Sequence, residues 1–167
     1  GEFVFKSAYA MLEVGDVDAA CEGFVDVEGR PYSDYTAPSR YALGYIEYTK
    51  SNFKKALEWF EKAGQDDRFK EVASYYVLEC KFMLKDYDYV KENGVAMFEK
   101  APADRKPHLA RIISESYLVG DEVQKAHAFY EHTLQADSSE NTRADWFFRG
   151  SLLFAVKDYK GAIGNFM

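Results

Sequence analysis

An all-α fold, an α-solenoid of antiparallel helix pairs, is predicted by three features of this 167-residue chain. The first is an internal repeat: Ala20, Ala56, Val90, Ala126 and Ala162 recur in similar contexts at spacings of 36, 34, 36 and 36 residues. The second is apolar spacing of helical period, as in Ala56, Phe60 and Ala63, with no alternating strand pattern. The third is composition: 47% hydrophobic and 17% aromatic residues, with only 11 Gly and 4 Pro, exclude disorder and collagen-like repeats.

Five units follow, at 1–36, 37–70, 71–106, 107–142 and 143–167, the last incomplete. In the first, Gly15-Asp16 is a turn signal between two helices, and Val17, Ala20 and Phe24 mark the apolar face of the second. The second unit has a helix through Tyr41 to Lys50 carrying Leu43 and Ile46, a turn at Ser51-Asn52, and Phe53, Ala56 and Phe60 beyond it. The third turns at Lys85-Asp86 and continues with Tyr87 and Val90. The fourth turns at Gly120-Asp121, followed by Val123, Ala126 and Tyr130. The fifth has a whole first helix, about Arg143 to Val156, a turn at Lys157-Asp158, and a short second helix from Tyr159 to Met167.

Small residues at positions 8 and 20 of the units are expected to let paired helices approach: Ala8/Ala20, Gly44/Ala56, Ser114/Ala126 and Gly150/Ala162. The third unit departs, with Leu78/Val90 in that layer and Gly94 where the others carry an aromatic ring. Bulk is traded from one contact layer to the next. At the end of the chain Ala162, Ile163 and Phe166 form an apolar face with no helix to follow. A polar cap is missing there, so the chain is expected to be part of a longer array, with self-association through this end as one way of covering it.

This pattern resembles the tetratricopeptide repeat family, whose unit is a helix-turn-helix of about 34 residues. The family's large residue, Leu and small residue are matched by Arg40, Leu43 and Gly44, and more loosely by Trp146, Arg149 and Gly150. Only Pro102 matches the family's proline near the unit end. The resemblance implies a right-handed superhelix whose first helices line a concave groove. It also implies that positions 5 and 9 face that groove, which gives Phe5, Tyr9, Tyr41, Tyr45, Tyr75, Glu79, Arg111, Glu115 and Phe147 as candidate partner-binding residues. Position 12 adds Leu12, Tyr48, Phe82, Leu118 and Phe154 with less claim to contact. The Lys and Asn of the family's carboxylate-clamping members are missing from every unit, so an extended apolar or aromatic segment suits this groove better than an acidic peptide tail. The Tyr- and Phe-rich units also resemble those of bacterial tetratricopeptide proteins, some of which serve in the cell envelope.

Other function classes are disfavoured. The three histidines, His108, His127 and His132, stand in no catalytic motif, and no Gly-rich phosphate loop is present, so no enzyme, cofactor or metal site is expected. His127 and Glu131 share a helical face, which is better explained as a solvated pair than as metal ligands. A net charge of −7 without a basic stripe argues against nucleic acid. No apolar run reaches the roughly 20 residues of a membrane-spanning helix. Cys21 and Cys80 lack a CxxC pattern and are expected to be small buried hydrophobes. The leading expectation is a non-enzymatic scaffold holding a protein or peptide. The alternatives are a structural, oligomerising segment of a larger assembly and, more weakly, a glycan-binding groove built on Tyr45, Tyr75 and Glu79.

Overall fold

The computed structural model describes residues 1–134 and 141–167. Its helices are α1 (Glu2–Glu13), α2 (Val17–Glu28), α3 (Thr36–Thr49), α4 (Phe53–Ala63), α5 (Asp67–Met83), α6 (Tyr87–Lys100), α7 (Lys106–Val119), α8 (Val123–His127), α9 (Arg143–Ala155) and α10 (Tyr159–Phe166). A 3₁₀ turn at Tyr130–His132 follows α8. There is no strand among the described residues, and the architecture is an all-α repeat of helix pairs.

The turn inside each pair repeats as a backbone conformation. Gly15, Ser51, Lys85, Asp121 and Lys157 have φ of 86°, 60°, 66°, 59° and 68°, the left-handed region. Their intervals of 36, 34, 36 and 36 residues match those of the side-chain pattern. Those at Gly15, Ser51, Asp121 and Lys157 end a helix in a Schellman turn, as where Asn52 N–H donates to the Glu47 carbonyl and Ser51 N–H to that of Tyr48. The next residue opens the following helix, and Asp16, Asp86 and Asp158 accept from the backbone N–H of Ala19, Tyr89 and Gly161. In the fourth turn Asp121 takes the left-handed site while Gly120 stays at φ −84°, although glycine meets no steric penalty there.

The helices gather into two compact units, Gly1–Leu84 and Lys85–Met167. In the first, α1 packs on α2, α2 on α3, α3 on α4 and α4 on α5. Its core joins Ala8, Ala20 and Phe24 to Leu43 and Ile46 of α3. Where position 8 is glycine it proves to be a seat for an aromatic ring. A Cβ on Gly44 would lie 2.9 Å from the Phe60 ring, which is 0% exposed. Around Ala8 the close approach is to Gly23, whose Cβ would stand 2.6 Å from that of Ala8. The connection between α2 and α3 is tied to the next one by polar groups: Tyr32 Oη donates to Asp66 at 2.9 Å, and Arg68 pairs with the same carboxylate at 2.7 Å.

In the second unit α6 packs on α7, α7 on α8 and the 3₁₀ turn, α8 on α9, and α9 on α10. Helix α8 has only five residues, and side chains account for its early end. Ser114 Oγ donates to the Ala126 carbonyl, and Arg149 donates to the Tyr130 carbonyl at 2.8 Å and to Thr133 Oγ1 at 3.3 Å. The Arg149 guanidinium also lies 3.7 Å from the centroid of the Tyr130 ring. Thus Arg149, where the family pattern has Leu, fastens a tightened turn in place of an apolar contact. Gly150 seats Phe166 as Gly44 seats Phe60, but Phe166 remains 45% exposed. Tyr159 is 54% exposed, so the rings at position 24, Phe24 and Phe60, are core in the first unit, whereas the rings of α10 lie at the surface.

Candidate functional site

The nine candidate residues separate into packed and presented groups. In the first unit Phe5 packs against Phe24 at 5.7 Å and Tyr35 at 5.4 Å between ring centroids. Tyr41 packs against Phe60, Phe69 and Tyr76, and Tyr75 is buried. Tyr9 and Tyr45 are the presented rings, at 50% and 44% exposure. Glu79 is engaged: the Tyr48 hydroxyl donates to it at 2.5 Å, and burial together with this carboxylate holds the phenol above its ordinary pKa. Tyr45, Tyr75 and Glu79 therefore do not meet solvent as one ring-and-acid set.

Tyr76 organises this cluster and carried no signal in the sequence. Its ring stacks on Phe60 at 4.7 Å and meets Tyr41, Tyr45 and Tyr48 edge-on at 5.9, 6.1 and 5.4 Å. Ala42 and Ile112 occupy the equivalent place in neighbouring repeats, so periodicity does not single out an aromatic there.

In the second unit Arg111, Glu115 and Phe147 come together in one groove of about 580 Å³. Helix α7 contributes Arg111, Glu115 and Leu118, spaced four and three residues apart on one helical face. Helix α9 contributes Arg143, Ala144, Phe147, Phe148 and Ser151. Phe147 is 64% exposed and stands beside Arg143, which makes no ion pair or hydrogen bond among the described residues. Arg111 is held in place by Asp145 at 2.6 Å and lies 5.9 Å from the Phe148 ring centroid. Arg143 and Phe148 were not among the expected groove residues. The packing of α7 and α9 adds them.

Asp145 has two jobs. It closes a capping box with Thr142 at the start of α9, and it anchors Arg111. Burial raises its carboxyl, but the Thr142 hydrogen bonds and the charge of Arg111 outweigh that and hold it below its ordinary 3.8. A depressed folded-state pKa contributes stability above the ordinary value, which is lost as pH falls through the lowered one. Acidification below pH 3.8 is therefore expected to loosen the start of α9 and the Arg111 side of the groove. Amide exchange at residues 143–147 should quicken over that window, and Asp145→Asn should remove the dependence. An unchanged pH profile in Asp145→Asn would assign the transition to other carboxylates.

A second hollow, of about 840 Å³, shares Arg143 and Phe147 and is completed by Trp146, Asn165, Phe166 and Met167 of α9 and the chain end. No group of three or more His, Cys, Asp or Glu among the described residues is placed to hold a metal ion. Nor is any helix among them long and apolar enough to cross a membrane. Cys80 is fully buried, which pushes its thiol up to about 12, and Cys21 is partly buried.

No protein-family model matches this sequence, and no curated protein matches it. Solved structures do resemble it. MamA from Desulfovibrio magneticus RS-1, residue 41 to its end, has 15% identity and a TM-score of 0.80, over 99% of this chain and 90% of that one. A MamA RS-1 ArsTM double mutant has 16% identity and a TM-score of 0.80, over 99% of this chain and 89% of that one. At these identities the likeness shows the fold alone, a tetratricopeptide-like helical repeat.

Proposed function

We propose that this chain is a non-enzymatic scaffold and that the α7/α9 groove holds an extended segment of a partner protein. The observation that carries the reading is the convergence of Arg111, Glu115 and the exposed Phe147 on one groove. An exposed ring beside a hydrogen-bonding arginine is the kind of surface that concentrates binding energy, because it covers area at little entropic cost. Arg111 is pre-positioned by Asp145, so little ordering is required when a ligand arrives.

A peptide-display selection on the wild-type chain tests this directly. Selected segments are expected to be rich in apolar and aromatic residues and to lose about tenfold or more in affinity on Phe147→Asp, as for a central contact residue. Phe147 is exposed, so helicity should be unchanged. Equal binding to wild type and Phe147→Asp would remove the groove from the account. Tyr41→Ala and Tyr75→Ala are unsuitable probes, because those rings are packed. That packing is also what favours the second reading, a spacing or oligomerising segment, for the first unit.

A further inference from the structure

On the reading of the α7/α9 groove as the binding site, we propose that it selects a segment that brings a lysine or arginine side chain to Glu115. Glu115 is half-buried on α7, an interior helix that packs on α6 and α8. It makes no ion pair or hydrogen bond among the described residues. The nearest cation along the helix is Arg111, one turn earlier on the same face, and it is already taken. Arg111 Nη1 donates to Asp145 Oδ1 at 2.6 Å. The N–H and hydroxyl of Thr142 hold the other oxygen of Asp145 at 2.8 and 2.7 Å, so that pair is closed on itself. Apolar Leu118, Ala144, Phe147 and Phe148 make up much of the groove wall, and the Ser151 hydroxyl donates to the Phe147 carbonyl. A carboxylate partly withdrawn from water without a partner is unfavourable, and a cation brought by a ligand relieves it.

The preceding repeat shows the same carboxylate with its partner in place. Glu79 stands one repeat earlier at the same position and accepts from the Tyr48 hydroxyl at 2.5 Å. That hydroxyl comes from position 12 of the unit before, which is Tyr48 ahead of Glu79 and Phe82 ahead of Glu115. Phenylalanine has no hydroxyl to give. The fourth unit thus keeps the acid while the register omits its internal donor.

Arg143 also lines the groove, but it is exposed, and a solvated cation gains little from an ion pair. The half-buried Glu115 gains more, because part of its water is replaced by apolar groups. Charge therefore favours a basic residue over an acidic one. The Phe147 and Phe148 rings can take the aliphatic stem of a lysine or the flat face of an arginine.

Selection from a random peptide library on the full chain, followed by synthesis of the selected peptides, tests the proposal. These peptides are expected to share a lysine or arginine next to apolar or aromatic residues. Replacing that basic residue with Gln should weaken binding about ten- to a hundredfold, the range for a hydrogen bond to a charged group. Glu115→Gln should weaken the parent peptides equally and the Gln peptides no further. Selection on Glu115→Lys should turn toward Asp and Glu. Glu115 holds no other side chain, so circular dichroism should show unchanged helicity in both variants. Phe147→Ser, which adds no charge, separates the cation from the groove. Peptides that lose affinity on Phe147→Ser but not on Glu115→Gln would overturn the choice of a cation and leave the groove standing. So would a wild-type selection rich in Asp or Glu. Peptides indifferent to both substitutions, or a library that yields none, would remove the groove and the cation together.

Discussion

Phe60→Ala is expected to cost about 3–5 kcal/mol in denaturant unfolding, the range for truncating a fully buried aromatic ring. The ring is 0% exposed, stacked on Tyr76 and met edge-on by Tyr41. Its place on α3 is the space left by the missing Gly44 side chain. That geometry gives a sharper form of the same prediction. In the wild-type chain Gly44→Ala gains about 1 kcal/mol of helix propensity. It also drives a methyl to 2.9 Å from a ring with nowhere to move, so the net effect is destabilising. In the Phe60→Ala background the same methyl enters an empty space, and Gly44→Ala should become stabilising. Thermal or urea unfolding of the four chains gives the sign. Destabilisation in both backgrounds would mean that glycine is required for some reason other than the ring.

Arg149→Ala should produce the second large loss, about 4 kcal/mol. This combines a charge-assisted hydrogen bond to a carbonyl with a stacked cation, each worth roughly 2 kcal/mol when partly desolvated. The bonds go to the Tyr130 carbonyl and Thr133, and the stacking is on the Tyr130 ring, so one side chain holds the whole 3₁₀ turn. Hydrogen exchange should localise the damage to residues 128–134. Arg149→Leu separates two roles, because it restores the family's residue and most of the packed volume. If Arg149 only fills space, the Leu variant will match wild type. If it fastens the turn, both variants will exchange quickly there, and Arg149→Lys will recover only part of the protection, since a point charge lacks the guanidinium fork.

The legible part of this fold rests on local chemistry repeated at one interval. Helical spacing around Ala56 and Phe60, polar turns such as Lys85-Asp86, and capping aspartates at 16, 86 and 158 are each written within a few residues. Each of the five turn dipeptides contains the left-handed residue, the first of the two in four turns and the second, Asp121, in the fourth. Less legible was what fills the seat at position 8. Periodicity marks a small residue but does not say whether a methyl or a ring will approach it, and Gly44 takes a ring. The end of α8 was hidden for a similar reason. Its sequence is compatible with a longer helix, and the competition is decided by Ser114 and Arg149, which belong to other helices.

The candidate site shows the same division. Repeat register named Arg111, Glu115 and Phe147, and these do share a groove. It also named Tyr41 and Tyr75, which have an aromatic environment of their own. Whether a ring at a groove position faces solvent depends on its neighbours one repeat away, and Tyr76 claims the space beside Tyr41. The Arg111–Asp145 pair joins position 5 of the fourth unit to position 3 of the fifth, a link between the first helices of successive units. Tyr32 and Asp66 likewise join the connections that follow the first and second units.

Backbone amide shift mapping with a display-selected peptide tests the groove as the recognition site most directly. Shifts are expected to concentrate on α7 between residues 111 and 118 and on α9 between residues 143 and 151, and to vanish in Phe147→Asp. Shifts confined to α2, α4 or α6, or unchanged by that substitution, would contradict the assignment of this groove as the binding site.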